Sequence, residues 1–233
     1  MTVYITGDKH GEIEMYQFYK KRLRNHITPV HGDKIIIAGD FGLIWSREPS
    51  RKEKHFINYL NNAKWDTLFV DGNHENYEML AELPEESRWD GVVGKVSDKI
   101  FHLKRGNIYT IDGHKILAFG GAQSHDKLTR NVGIDWWHEE IPSWNELEYC
   151  LTNIEKHNNE VDFVITHTCP IEVQDWIKAT YGMKSEREGD PTCKMLSHIA
   201  SVLNFKAWYF GHWHNNFTFG KYHCLWHTYK ELQ

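Results

Sequence analysis

Sixteen histidines are scattered along this chain, and a subset of them falls in an ordered pattern with aspartate and asparagine. Asp8 and His10 follow the apolar run Val3-Tyr4-Ile5, and Asp40 follows Lys34-Ile35-Ile36-Ile37-Ala38. Asn73 and His74 come just after Thr67-Leu68-Phe69-Val70. His167 follows a run ending Phe163-Val164-Ile165-Thr166, and His212 and His214 follow Ala207-Trp208-Tyr209-Phe210. Taken singly, an Asp after Gly is usually a turn or a helix cap, and a lone His is usually a surface or a satisfied core residue. Five apolar segments that all end in a potential metal ligand point instead to one shared site.

The residue types suit a pair of divalent cations. An Asp carboxylate can bridge two ions at the separation of about 3.5–4 Å found in two-metal sites. Neutral imidazoles and an Asn carbonyl complete the shells while adding little negative charge. Mixed nitrogen and oxygen donors favour Mn²⁺, Fe, Zn²⁺, Ni²⁺ or Co²⁺ over Ca²⁺ and Mg²⁺, which prefer oxygen alone. No cysteine stands among the candidates, so a structural zinc finger is a poor fit, and Cys169 is read as a packing residue.

The segments that must position these groups read as alternating strands and helices, hence βαβ units with strands buried on both faces. In such sheets the carboxyl ends of the strands form the ligand-binding crevice. Met15, Tyr19 and Leu23 suggest an amphipathic helix, as does the stretch 50–62. Residues 92–104 together with a hairpin at Asp112-Gly113 suggest a meander of short strands. Ser143 and Glu146 form a capping box that opens a helix with Leu147, Cys150, Leu151 and Ile154 as its buried stripe. A last hairpin turns at Gly220-Lys221, and residues 179–192 read as the mobile loop.

Length and composition agree with one α/β domain over residues 1–233: 40% of residues are hydrophobic and 25% charged, an ordinary globular balance. No apolar run reaches the roughly 20 residues of a membrane span, and the start of the sequence lacks a secretion signal. The net charge of -5 argues against a broad nucleic-acid-coating surface. Four widely spaced cysteines without a C-x-x-C pair suggest reduced thiols in the cytoplasm.

Gly7-Asp8-Lys9-His10, Gly39-Asp40, Gly72-Asn73-His74-Glu75, Thr166-His167 and Gly211-His212-Trp213-His214 together resemble the calcineurin-like metallophosphoesterase family, in its motif order and over nearly the whole chain. The resemblance implies a four-layer αββα sandwich of two mixed sheets flanked by helices, with two divalent transition-metal ions, Mn²⁺ foremost. It assigns Asp8, His10, Asp40 and His214 to the first ion and Asp40, Asn73, His167 and His212 to the second. It also implies that a hydroxide held between the metals attacks phosphorus, with protonated His74 over the substrate as proton donor. Glu75 is expected to support the site. Protein Ser/Thr phosphatases of this superfamily carry an Asp and an Arg where Leu43 and Ile44 stand here, which disfavours that activity. A phosphate-gripping Arg must come from elsewhere, and Arg130 or Arg47 is the candidate. Trp136 and Trp137 either stack on a substrate or pack their loop, with packing favoured. Trp45 and Trp213 would wall the site.

The expected partner is a small phosphoester, a nucleotide among the options, with no membrane. Phosphodiester and phosphomonoester hydrolysis both fit the residues, because the same nucleophile serves either ester. A protein-docking scaffold without catalysis is the alternative of a different class, and the presence of every ligand candidate and of His74 argues against it.

Overall fold

The computed structural model describes residues 1–182 and 189–233. Among these, one sheet contains β1 (Val3–Thr6), β2 (Lys34–Ala38), β3 (Asp66–Val70), β4 (Glu85–Arg88), β5 (Gly91–Ser97), β6 (Ile100–Leu103) and β13 (Tyr229–Glu231), in the order β13-β1-β2-β3-β6-β5-β4. The other contains β7 (Ile108–Ile111), β8 (His114–Phe119), β9 (Phe163–Thr166), β10 (Ala207–Phe210), β11 (Phe217–Phe219) and β12 (Tyr222–Cys224), in the order β11-β12-β10-β9-β8-β7. Both are mixed: β1-β2-β3 run parallel in the first and β8-β9-β10 in the second, with antiparallel hairpins toward the edges.

Side-chain alternation explains why the central strands are apolar without interruption. In β2, Ile36 and Ala38 pack between the two sheets, while Ile35 and Ile37 pack outward with Phe56 and Leu60 of α2 (Arg51–Asn61). In β9 and β10, Ile165 and Tyr209 face the inter-sheet core. Val164, Trp208 and Phe210 face α4 (Trp144–Lys156), α5 (Ile171–Tyr181) and α6 (Pro191–Val202). Three hydrophobic layers thus lie between four layers of structure. Each buried Ile or Leu contributes roughly 1.5–3 kcal/mol, and only a two-sided interior accommodates so many.

Three expectations from sequence need correction. Met15, Tyr19 and Leu23 do not share one helix: two 3₁₀ turns, Gly11–Ile13 and Met15–Phe18, precede the single turn α1 (Lys20–Leu23). Met15 and Phe18, both fully buried, are spaced i, i+3, the repeat of a 3₁₀ turn, and Tyr19 is extended (ψ 133°) between the two pieces. Residues 92–119 are not one meander either. The chain crosses from the first sheet to the second between β6 and β7, at Gly106 (φ +76°), beside a buried Arg105. Of the loop expected over 179–192, Ala179 to Tyr181 continue α5 and Pro191 and Thr192 begin α6, with Asp190 as the cap. Gly182 caps the end of α5 with φ +64°, Gly189 has φ +85°, and residues 183–188 lie outside the described residues. The short helix α3 (Tyr77–Ala81), α5, α6 and β13 had no counterpart in the sequence reading.

The expected capping box is present: Ser143 Oγ accepts from the Glu146 amide (3.2 Å) and Glu146 accepts from the Ser143 amide (2.7 Å). Ser143→Ala should therefore cost about 1 kcal/mol and lower the Tm by about 2–4 °C. An unchanged melting curve would show that the cap contributes nothing.

Candidate metal centre

Five strands deliver the candidate ligands to one edge. β1, β2 and β3 end at Asp8, Asp40 and Asn73 in the first sheet, and β9 and β10 end at His167 and His212 in the second. The sequence rule of strand ends therefore operates across two facing sheets. Their seam is tied at this edge, where the His167 ring donates Nδ1–H to the carbonyl of Ala38 (2.9 Å).

The two carboxylates are seated in the same way. Asp8 accepts the amide of His212 (2.8 and 3.0 Å), and a Cβ at Gly211 would stand 1.9 Å from its Oδ1. Asp40 accepts the amide of His74 (2.8 Å), and a Cβ at Gly72 would stand 2.1 Å from its Oδ1. In G-H and G-N-H alike, the glycine makes room for a neighbouring strand's carboxylate and a following N–H grips it. His10, Asp40, His212 and His214 all adopt positive φ, between 40° and 65°. Such backbone costs of order 1–3 kcal/mol per residue and persists where the surroundings enforce it.

Two of the imidazoles, those of His167 and His10, are oriented through Nδ1. With Nδ1 of His167 committed to Ala38, its Nε2 lies 3.1 Å from Asn73 Oδ1 and 3.3 Å from Asp40 Oδ1. His10 gives Nδ1–H to Glu14 (2.9 Å), leaving Nε2 3.1 Å from Asp40 Oδ2. His214 Nε2 lies 3.0 Å from Asp8 Oδ2, and the His212 ring packs 4.9 Å from that of His167. A carbonyl or carboxylate on one ring nitrogen, with the other free to ligate, is the usual arrangement of a metal-binding histidine.

This donor set fits divalent cations. Donor atoms of Asp8, His10 and His214, and those of Asp8, Asp40 and His167, converge to within 4.8 Å of one another. Asp8 and Asp40 are essentially inaccessible to solvent. Burial pulls the pKa of His10 down, but hydrogen bonds to Asp40 and Glu14 outweigh it and raise it to about 10. His167 is likewise disfavoured by burial and lifted by Asp40 to about 9. The centre favours positive charge, which protons or metal ions can supply.

His74 lies in the same cluster, its donor atom within 4.8 Å of those of His10 and Asp40 and its ring edge-on to His10 at 5.1 Å. Burial lowers its pKa; Asp40 raises it, while His10 and Arg130 lower it further. Arg130 acts electrostatically on His74, and its guanidinium is held by Asp126 (2.9 Å) and the carbonyl of Asp135 (3.2 Å). Arg47 is exposed on the surface in a two-pronged pair with Glu82, and it takes no part in the cluster. Trp136 and Trp137 are buried, and Trp137 meets Trp45 edge-on at 5.5 Å, so they pack the loop. Trp213 is buried among the residues facing the helices of the second sheet. Leu43 and Ile44 belong to the core under α2, which leaves no place there for a polar Asp–Arg pair.

Several neighbours escaped the sequence reading. Glu14 receives His10, His227 (2.6 Å) and the Trp226 indole (3.2 Å). Its spacing of four from His10 was the one local signal. Burial raises the Glu14 pKa, but His10 and His227 hold it at about 2. Trp226 stacks on His214 at 5.3 Å; its position beyond β12 offered no pattern to find. Glu75, which the sequence did single out as a support of the site, accepts the amides of Phe41 (2.7 Å) and Gly42 (3.2 Å), fixing the loop that carries Asp40.

Comparison with known proteins agrees with this architecture. The calcineurin-like phosphoesterase family model matches residues 1–216. Curated relatives include lariat debranching enzymes of Saccharomyces cerevisiae (29% identical, covering 64% of this chain and 35% of the relative), Schizosaccharomyces pombe (25%, covering 94% and 49%) and Homo sapiens (25%, covering 94% and 43%). The chain spans half or less of the length of these relatives. With two mixed sheets, flanking helices and a family match over almost its full length, the chain belongs to the calcineurin-like phosphoesterases, hydrolases of phosphoester bonds.

Proposed function

We propose that this protein is a two-metal phosphodiesterase acting on a nucleotide phosphodiester. The observation that carries the reading is the convergence of Asp8, Asp40 and Nε2-directed histidines from both sheets at one buried edge. Asp8, His10, Asp40 and His214 would hold one ion, and Asp40, Asn73, His167 and His212 the other, Asp40 being shared. Mn²⁺ suits the mixed oxygen and nitrogen donors, as do Fe, Zn²⁺, Ni²⁺ and Co²⁺. Bound there, divalent ions supply Lewis acidity that activates water near neutral pH and offsets phosphoryl charge.

The chain's own residues supply the rest. His74, at the mouth of the cluster, delivers a proton to the departing oxygen; its lowered pKa makes the imidazolium a stronger acid for that step. Arg130, beside His74, offers a cation to the substrate's phosphoryl oxygens. Trp226, flat against His214, offers a face on which a base can stack. The diester preference draws on the relatives: removing a branch from a lariat with a phosphoesterase requires cleaving the ester at the branch. A nucleotide already linked through its 3′ and 5′ oxygens can branch only through its 2′-hydroxyl, so a 2′,5′-phosphodiester is the substrate to try. The net charge of -5 fits recognition of the scissile phosphate and its neighbours rather than a long basic track. The buried thiols of Cys150, Cys169 and Cys193 support residence in the reducing cytoplasm.

Metal-stripped protein titrated with Mn²⁺ should bind two ions per chain, and hydrolysis of a chromogenic phosphate bis-ester should vanish with a chelator and return with Mn²⁺. Saturation at one ion would remove the paired centre. His74→Ala should keep both ions yet lose about 10²–10⁴-fold in kcat; wild-type turnover in this variant would strip His74 of its role and favour a scaffold. The bis-ester and a 2′,5′-linked dinucleotide should be cleaved faster than the corresponding monoesters, and the reverse ranking would make the protein a phosphomonoesterase.

A further inference from the structure

Asn73 poses a problem that a carboxylate would not. Only the oxygen end of a carboxamide can ligate a metal, and its two ends are nearly identical in size. Something must decide which end faces His167 and Asp40. Asn73 is buried, so water does not make the choice. On its far side, Asn73 Nδ2 lies 3.3 Å from Ser124 Oγ. Ser124 Oγ lies 2.6 Å from Glu140 Oε2, and the Ser124 amide donates to Glu140 Oε1 at 2.7 Å. Ser124 and Glu140 are both buried, at 0% and 1% exposure.

We infer that Glu140 is a positioning residue that, through Ser124, fixes the orientation of the Asn73 amide so that its oxygen faces the metal centre. This rests on the reading of Asn73 as a ligand. The logic is one of donors and acceptors. An ionised carboxylate only accepts, and a separation of 2.6 Å is typical of O–H···O⁻. The single hydroxyl proton of Ser124 is therefore committed to Glu140. Ser124 Oγ is left with lone pairs alone, so it can face only the NH₂ end of Asn73. The oxygen end is turned toward His167 Nε2, 3.1 Å away. Both supports are fixed: Ser124 follows β8, and the Glu140 carbonyl accepts the Ala122 amide at 3.1 Å, joining the two loops.

Glu140→Gln reverses the signal with almost no change in shape. Gln has a single acceptor oxygen, and the Ser124 amide, which can only donate, claims it. The Gln NH₂ then faces Ser124 Oγ, whose proton must turn to Asn73, and the amide flips to present NH₂ to the metal. Asp at position 73 has no wrong end, so it should be immune.

The test is calorimetric titration of the metal-stripped protein with Mn²⁺, with thermal unfolding of each variant as a check of the fold. Glu140→Gln should weaken one of the two ions by about 10–100-fold and leave the other unchanged. In an Asn73→Asp background the same substitution should cause no weakening. Ser124→Ala removes the relay without touching Glu140; it should also weaken a single ion, and Asn73→Asp should rescue it. The inference is overturned if Glu140→Gln titrates as wild type, or weakens binding equally in both backgrounds, as a merely structural role would. Asn73→Ala separates the premises: loss of one ion there, with Glu140→Gln silent, sinks the relay alone. Two wild-type ions in Asn73→Ala sink the ligand assignment and the relay with it.

Discussion

Two buried carboxylates facing one another are the constraint around which this edge of the molecule is organised. Moving an ion of that kind out of water costs several kcal/mol even after relaxation, and Asp8 and Asp40 have almost no solvent contact. What offsets the cost is directional: the amides of His212 and His74 point at them, and imidazole nitrogens stand 3.0–3.3 Å away. These donors reach their targets only because Gly211 and Gly72 let one loop lie directly against another's carboxylate, and because several residues accept left-handed backbone. The parallel strands, the seam between the sheets and the glycine in each motif all serve that requirement.

A second set of acidic side chains lies outside the first and differs from it in kind. Glu14, Glu75, Glu140 and Asp71 are each matched by donors of the chain itself. Glu14 holds His10, His227 and Trp226; Glu75 holds the Phe41 and Gly42 amides; Glu140 holds Ser124. Asp71 is gripped by Arg105 (2.6 and 2.8 Å) and His102 (3.0 Å), which outweigh the burial that would raise its pKa and keep it well below the usual range. Arg105 also donates to Tyr77 and to the carbonyl of Glu139, so the crossover between the sheets is tied to α3 and to the turn before α4. Among the described residues, Asp8 and Asp40 fall in the groups whose donor atoms could hold a metal ion, and these four do not.

The strands, the pairing of helices with sheets and the residues at the strand ends were legible because each leaves a local trace. Unbroken apolar runs such as Ile35-Ile36-Ile37 mark two-sided burial, and turn residues mark where a strand stops. The helix expected through Met15, Tyr19 and Leu23 failed because tertiary demands on Glu14, drawn to His10 and His227, compete with a weak local periodicity. The meander failed because strand patterns do not say which sheet a strand joins; the anchoring of Arg105 decides that, and it lies in three dimensions. Ser124, Trp226 and His227 left no signature, since hydrogen-bonding serines and rim aromatics carry no fixed spacing from the residues they serve. Arg47 and Arg130 looked alike in sequence, and each is paired with a carboxylate, but only Arg130 acts electrostatically on His74.

The ends of β1, β2 and β3 belong to one sheet and those of β9 and β10 to the other, so the centre straddles the joint between two halves. A cation shared by Asp40 and His167 would be a rivet through that joint. Ligand binding that requires the native arrangement stabilises it by mass action, and here the stabilised arrangement is the docking of the sheets. Loading and unloading such a rivet would be felt in the hydrophobic layer between Ile36 and Ile165, far from any phosphate.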